Sequence, residues 1–174
     1  SFGFAFSATQ QISINRENLK KVSEIFSAVI SVKLLLTLVS AIILILLFFT
    51  VEQFRVDKLV FICSFGIVLG DALLPLWLFQ GMEKMKFMTL VNFVSKLLFT
   101  LLIFVFVNTK QDYLLVPLFT TAGYLAAGII SFIIAFRIFK LKLLLPNIQI
   151  IKEQVSASWA IFVSTLSINL YRNA

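Results

Sequence analysis

Lys96 and Asn92 lie four residues apart in an otherwise apolar stretch, Met88 to Val107, with Thr89 and Thr100 at similar spacing. A helix over these 20 residues is long enough to cross a bilayer core of ~30 Å and puts Asn92 and Lys96 on one face. At the centre of such a helix a lysine costs roughly 2.5 to 3.5 kcal/mol, so its ammonium must meet protein, water or a ligand rather than lipid. The ligand chemistry it suits is an anion. Two further charges fall inside apolar stretches, Asp71 and Lys33. At ~1.5 Å per residue, Lys96 lies ~12 Å, Asp71 ~14 Å and Lys33 ~10 Å from the same end of their helices. Asp71 and Lys96 belong to consecutive helices joined by the short Gly81 to Phe87 turn, so one reading pairs them as a tie between helices. The other leaves Lys96 facing a cavity. The three charges sum to +1, which keeps such a cavity attractive to an anion. Lys33 has an alternative of its own, since its stem can carry the ammonium to the interface.

Covalent catalysis has no candidates. The chain contains no His and a single cysteine, Cys63, so there is no Ser-His-Asp or Cys-His set, no disulfide within the chain and no Cys/His metal site. Cys63 reads as a small packing residue. Ser27, Ser31, Thr37, Ser40, Thr120, Thr121 and Tyr124 punctuate the apolar stretches. They can hydrogen-bond to sugar hydroxyls or pack helices together.

The elements that carry these residues follow from hydropathy. Hydrophobic residues make up 60% of the chain, with 20 Phe in 174 residues and a mean hydropathy of +1.04, well above a soluble domain. The fold class is all-α, a polytopic transmembrane helix bundle. Spans are expected at Phe26 to Thr50, Leu59 to Gln80, Met88 to Val107 and Leu114 to Phe136. A shorter apolar segment, Ser1 to Ile14, precedes them, and Trp159 to Tyr171 begins another. About five spans and the start of a sixth are therefore expected, in a piece of a longer protein. Pro75 is expected to break its helix, and Gly123, Ala127 and Gly128 give the last complete span a face for close packing.

The formal charge of +7 is spread over short gaps rather than gathered in a patch with aromatics, so no nucleic-acid partner is expected. Arg16, Lys20, Lys21, Lys84, Lys86, Arg137, Lys140, Lys142 and Lys152 fall in alternate gaps, and only Arg55, Lys58 and Lys110 in the others. By the positive-inside rule the first set is cytoplasmic, and the helix of Lys96 runs outward. The gap from Arg137 to Ser158 is basic, then apolar, then broken at Pro146. Its NIQIIKEQ segment suits a short helix along the inner surface.

Three stretches, SFGFAFSATQQISINREN, PLWLFQGMEKMKFMTLVNFVSKLLFTLLIFVFV and SWAIFVSTLSINLYRNA, together resemble the lipid-linked oligosaccharide flippases of bacterial polysaccharide synthesis. These are the Wzx-type O-antigen translocases of the multidrug/oligosaccharidyl-lipid/polysaccharide exporter superfamily. The resemblance implies two six-helix lobes joined by a cytoplasmic connector. Residues 1–136 would then be helices of the N-terminal lobe, 137–158 the connector and 159–174 the start of the C-terminal lobe, whose remainder is a partner supplied by the same longer chain. It further implies a multi-pass protein of the bacterial inner membrane that moves an undecaprenyl-pyrophosphate-linked oligosaccharide outward by alternating access. The cavity set on this chain would be Lys96, Asn92, Lys33, Asp71, Arg16, Tyr124 and Arg172. No cofactor is implied, and a proton or sodium ion is the candidate for coupling. One departure is Gln10, in SATQ, where the family pattern has a basic residue.

Three alternatives remain open on the sequence, one of them a purely structural membrane subunit, which would not need Lys96 unless it is paired. A cation-coupled multidrug exporter of the same superfamily would rely on Asp71. A membrane-embedded polysaccharide polymerase would need a large outer loop, and both outer loops here are short.

Overall fold

The computed structural model describes the backbone of residues 3–145 and 147–173, and their side chains except 4, 5, 53, 56, 111, 160, 162, 165, 166, 169, 170, 172 and 173. Among the described residues the fold is helical, with no strand. The helices are α1 (Phe4–Ile14), α2 (Leu19–Thr50), α3 (Glu52–Val56), α4 (Lys58–Leu73), α5 (Leu76–Gly81), α6 (Met85–Phe106), α7 (Leu115–Arg137) and α8 (Ile148–Asn173), with a 3-10 turn at Lys110–Leu114 before α7. Four stretches are long and apolar enough to cross a membrane: Leu19–Thr50, Lys58–Gly81, Met85–Phe106 and Asp112–Arg137. They match the four complete spans expected from hydropathy, the third ending one residue earlier than expected, at Phe106. The protein is a multi-pass membrane protein.

Local chemistry sets the helix ends. Asn18 starts α2, its side-chain oxygen accepting the Lys21 N–H at 3.2 Å, which satisfies one orphan donor of the first turn. At the far end Arg55 donates to the carbonyls of Phe48 and Phe49, two of the acceptors that a helix terminus leaves unpaired. The expected break at Pro75 is present. Helix α4 stops at Leu73 and α5 begins at Leu76. Helix α5 closes when the Lys84 N–H returns to the Phe79 carbonyl at 2.9 Å, with Glu83 in the left-handed region at φ 55°. This is a Schellman turn made without glycine.

The chain divides into two compact units. The first comprises residues 1–32, 75–88 and 135–174 and holds an aromatic core. Phe26 packs on Trp77 and edge-on to Phe136, and Phe139 packs against Phe79 and Phe87. Helix α1 packs on α5 and α8. Gly81 is needed there, since a Cβ on it would stand 2.7 Å from the Cβ of Ile12. Between α1 and α8 runs a buried polar seam. Ser7 and Ser158 share a hydrogen bond of 2.7 Å, and Gln154 donates to Gln11. Each pair is four residues from the next on both helices, so the seam follows one face of each.

Past α7, Lys140 adopts φ 54° and the Leu141 N–H returns to the Ala135 carbonyl. The chain then lies against α2. The Lys142 N–H donates to Ser23 Oγ at 3.1 Å and the Leu144 N–H to Ser27 Oγ at 2.9 Å. Each hydroxyl also donates to the carbonyl one turn back. The surface segment expected around NIQIIKEQ and the helix expected from Trp159 form one continuous helix, α8.

The second unit comprises residues 33–74 and 89–134. Its helices leave many apolar side chains exposed, Phe49 at 75% and Phe104 at 79% among them. That is the pattern of a surface solvated by lipid chains. Helix α4 approaches α7 closely. A Cβ on Gly70 would lie 2.6 Å from Tyr124 Cβ and 2.8 Å from its carbonyl carbon, and one on Gly66 would collide with the Thr121 side chain. Thr121 Oγ1 meanwhile donates to the Cys63 carbonyl across the same contact.

Candidate functional site

The second unit brings three of the expected site residues together. Lys96, Asn92 and Tyr124 line one cavity with Ser95, Phe99 and Leu74. Helix α6 supplies Asn92, Ser95, Lys96 and Phe99, which its 3.6-residue period places on one side. Helix α7 supplies Tyr124, and Phe99 lies over Gly123, where a Cβ would stand 2.8 Å from the ring. The cavity measures about 20 Å³, room for a single water molecule.

Its lining is mostly apolar, with Asn92, Ser95, Lys96 and Tyr124 as the polar residues. Lys96 Nζ, the Asn92 amide and the Tyr124 hydroxyl all offer N–H or O–H groups. Ser95 Oγ is buried and without a hydrogen-bond partner among the described residues. Lys96 is exposed, and no ion pair joins it to Asp71; among the described residues the ion pair found is that of Arg16 with Glu83. Of the two readings open for Lys96, the tie to Asp71 is therefore absent from this structure.

Lys33 takes a different position. Its Nζ donates to the Asp71 carbonyl at 2.8 Å and to the Leu74 carbonyl at 3.4 Å, rather than reaching for an interface. These acceptors exist because of Pro75. In an unbroken helix the Asp71 carbonyl would receive the N–H of residue 75, and proline has none; here it accepts the Leu74 N–H at 3.1 Å and has room for the ammonium beside it. The Leu74 carbonyl would receive the N–H of Leu78, which instead bonds to the Pro75 carbonyl at 3.0 Å. The Asp71 carboxylate is also near enough to attract the Lys33 ammonium. Lys33 is thus held by backbone carbonyls at the end of α4, whereas Lys96 has no such acceptors among the described residues.

Arg16 belongs to the first unit, where it pairs with Glu83 of the α5–α6 turn. Gln10 is exposed in the same unit and lines an open cleft of about 680 Å³ with Phe6, Thr9, Ser13, Gln80 and Met85. The side chain of Arg172 lies outside the described residues. Most of the hydroxyls with sugar-binding potential are engaged within the protein. Ser27 holds the segment after α7, Thr37 and Thr120 bond the carbonyl one turn back, and Thr121 spans α4 and α7.

Over residues 1–174 the chain matches the family described as polysaccharide biosynthesis protein. The chain belongs to this family. Among relatives, it is 34% identical over 173 residues to a protein of Escherichia coli (strain K12) named "Putative O-antigen transporter", covering 98% of this chain and 41% of that protein. A protein of Shigella dysenteriae with the same name is 28% identical over 173 residues, covering 98% of this chain and 43% of the relative. The chain thus spans less than half the length of these curated relatives. No solved structure is significantly similar to it.

Two features of this family member escaped sequence reasoning although signals for them exist. Ser95 sits three residues after Asn92 and so faces the same way. Gly66 and Gly70 form a Gly-x-x-x-Gly spacing in α4, the pattern that admits a neighbouring backbone.

Proposed function

We propose that the chain forms part of a transporter that moves a lipid-linked oligosaccharide across the bacterial inner membrane for surface polysaccharide synthesis. The anionic diphosphate of the carrier lipid is the group read by Lys96, with Asn92, Ser95 and Tyr124 as neutral donors beside it. The observation that carries this reading is a lysine inside a spanning helix with no carboxylate partner, on a small cavity shared with Asn92, Ser95 and Tyr124. Membership of the polysaccharide biosynthesis family and the names of the relatives support the substrate class. No covalent step is assigned to the chain.

A space for one water cannot hold a diphosphate, so the reading requires the α6–α7 cleft to widen when substrate enters. Alternating access supplies such a change, since opening toward one side separates helices that pack when the site is closed. The test is export of surface polysaccharide by the full-length protein carrying Lys96→Gln or Lys96→Ala, with protein levels measured in the same cells. Export is expected to fall at least tenfold at normal protein levels and to recover substantially in Lys96→Arg. Normal export by Lys96→Gln removes Lys96 from the mechanism.

A further inference from the structure

We infer that the Lys33 ammonium occupies a site for a monovalent cation, as a cation permanently tethered to α2. Three observations define the site. Pro75 removes the usual donor of the Asp71 carbonyl at the end of α4, which then accepts both the Leu74 N–H at 3.1 Å and Lys33 Nζ at 2.8 Å. The Leu74 carbonyl, whose usual donor is diverted to Pro75, turns to the same ammonium at 3.4 Å. The residue whose carbonyl the ammonium holds, Asp71, also carries the carboxylate of this helix end. Carbonyls at the end of an interrupted helix carry the negative end of its dipole, and interrupted helices of this kind coordinate alkali cations in membrane transporters through such oxygens. A single carboxylate with neutral oxygens matches a charge of +1. It does not match the several carboxylates that divalent ions demand.

The ammonium and a free alkali ion are therefore alternative occupants of one place. With Lys33 present, the site is filled and independent of the salt in the medium. Without it, Asp71 is left as an uncompensated carboxylate in a spanning helix, beside a Leu74 carbonyl whose usual donor is diverted and an Asp71 carbonyl that keeps only the Leu74 N–H. Such a group is costly in the membrane, and a sodium ion restores both charge and coordination. This inference rests on the α2–α4 geometry and not on the transported lipid.

The test is thermal unfolding of purified full-length protein without substrate, in sodium chloride against choline chloride at matched ionic strength. Wild type and Lys33→Arg are expected to show equal midpoints in the two salts. Lys33→Ala is expected to show a midpoint several degrees higher in sodium, rising to a plateau as sodium is titrated, and Lys33→Ala/Asp71→Asn is expected to lose that rise. A Lys33→Ala protein that ignores sodium overturns the inference, as does a wild type that responds as strongly. If Lys33→Ala cannot be recovered folded in either salt, sodium does not replace the ammonium and the inference also fails. A flippase reading that fails in export assays leaves these outcomes unaffected.

Discussion

Lys33 and Lys96 are chemically identical, and the supply of acceptors around each gives them different work. Lys33 reaches two backbone carbonyls, so removing its ammonium leaves the part-buried Leu74 oxygen without that donor, while the Asp71 oxygen keeps the Leu74 N–H. Replacing Lys33 by Met is expected to cost about 1–3 kcal/mol, the penalty of leaving such groups unsatisfied, read as a lower unfolding midpoint in sodium-free buffer. Lys96 makes no hydrogen bond or ion pair among the described residues. Lys96→Met should therefore stay within about 0.5 kcal/mol of wild type in stability while losing export. The presence of both lysines within spanning helices was legible because a charge in an apolar stretch is conspicuous. The acceptors of Lys33 were not, because a backbone carbonyl has no residue type. The available signal was indirect: the residue four before a proline loses its donor, and here that residue is Asp71.

At the scale of elements, the contact of α4 with α7 is set by what is missing from α4. Gly70 brings Tyr124 within 2.6 Å of where a Cβ would be, and Tyr124 also lines the Lys96 cavity. Gly70→Ala is expected to destabilise by about 1–3 kcal/mol, since neither neighbouring backbone can yield cheaply. It should also reduce export by displacing Tyr124, measurable alongside the unfolding midpoint. The small face of α7 at Gly123, Ala127 and Gly128 was evident in the sequence, but a small face does not name its neighbours. The structure supplies them as Phe99 over Gly123 and Leu73 against Gly128. The segment after α7 gives a second case. Ser27 reads as a generic helix-packing hydroxyl, yet it accepts a backbone N–H from that segment, as does Ser23 one turn earlier. Ser27→Ala is expected to cost about 0.5–1.5 kcal/mol, the net worth of one such bond, seen in the same unfolding assay.

Across the whole molecule, hydropathy made the four complete spans visible, because each must satisfy its backbone within itself and cover it with apolar side chains. The alternation of basic gaps adds an orientation that thiol labelling in intact cells can check. In a Cys63→Ala background, Lys110→Cys is expected to react with a membrane-impermeant maleimide from outside, and Lys84→Cys only after permeabilisation. The reverse pattern would invert the topology. Long-range pairing was the least legible property, since α1 and α8 are brought together over more than a hundred residues of intervening chain. Their seam of Ser7, Gln11, Gln154 and Ser158 consists entirely of uncharged donors and acceptors. Such groups trade a protein partner for water at little net cost, whereas exposing them to hydrocarbon leaves them with nothing. Helices α1 and α8 are therefore joined by a fastening that water can undo and lipid cannot: they can part readily only along a route that becomes wet.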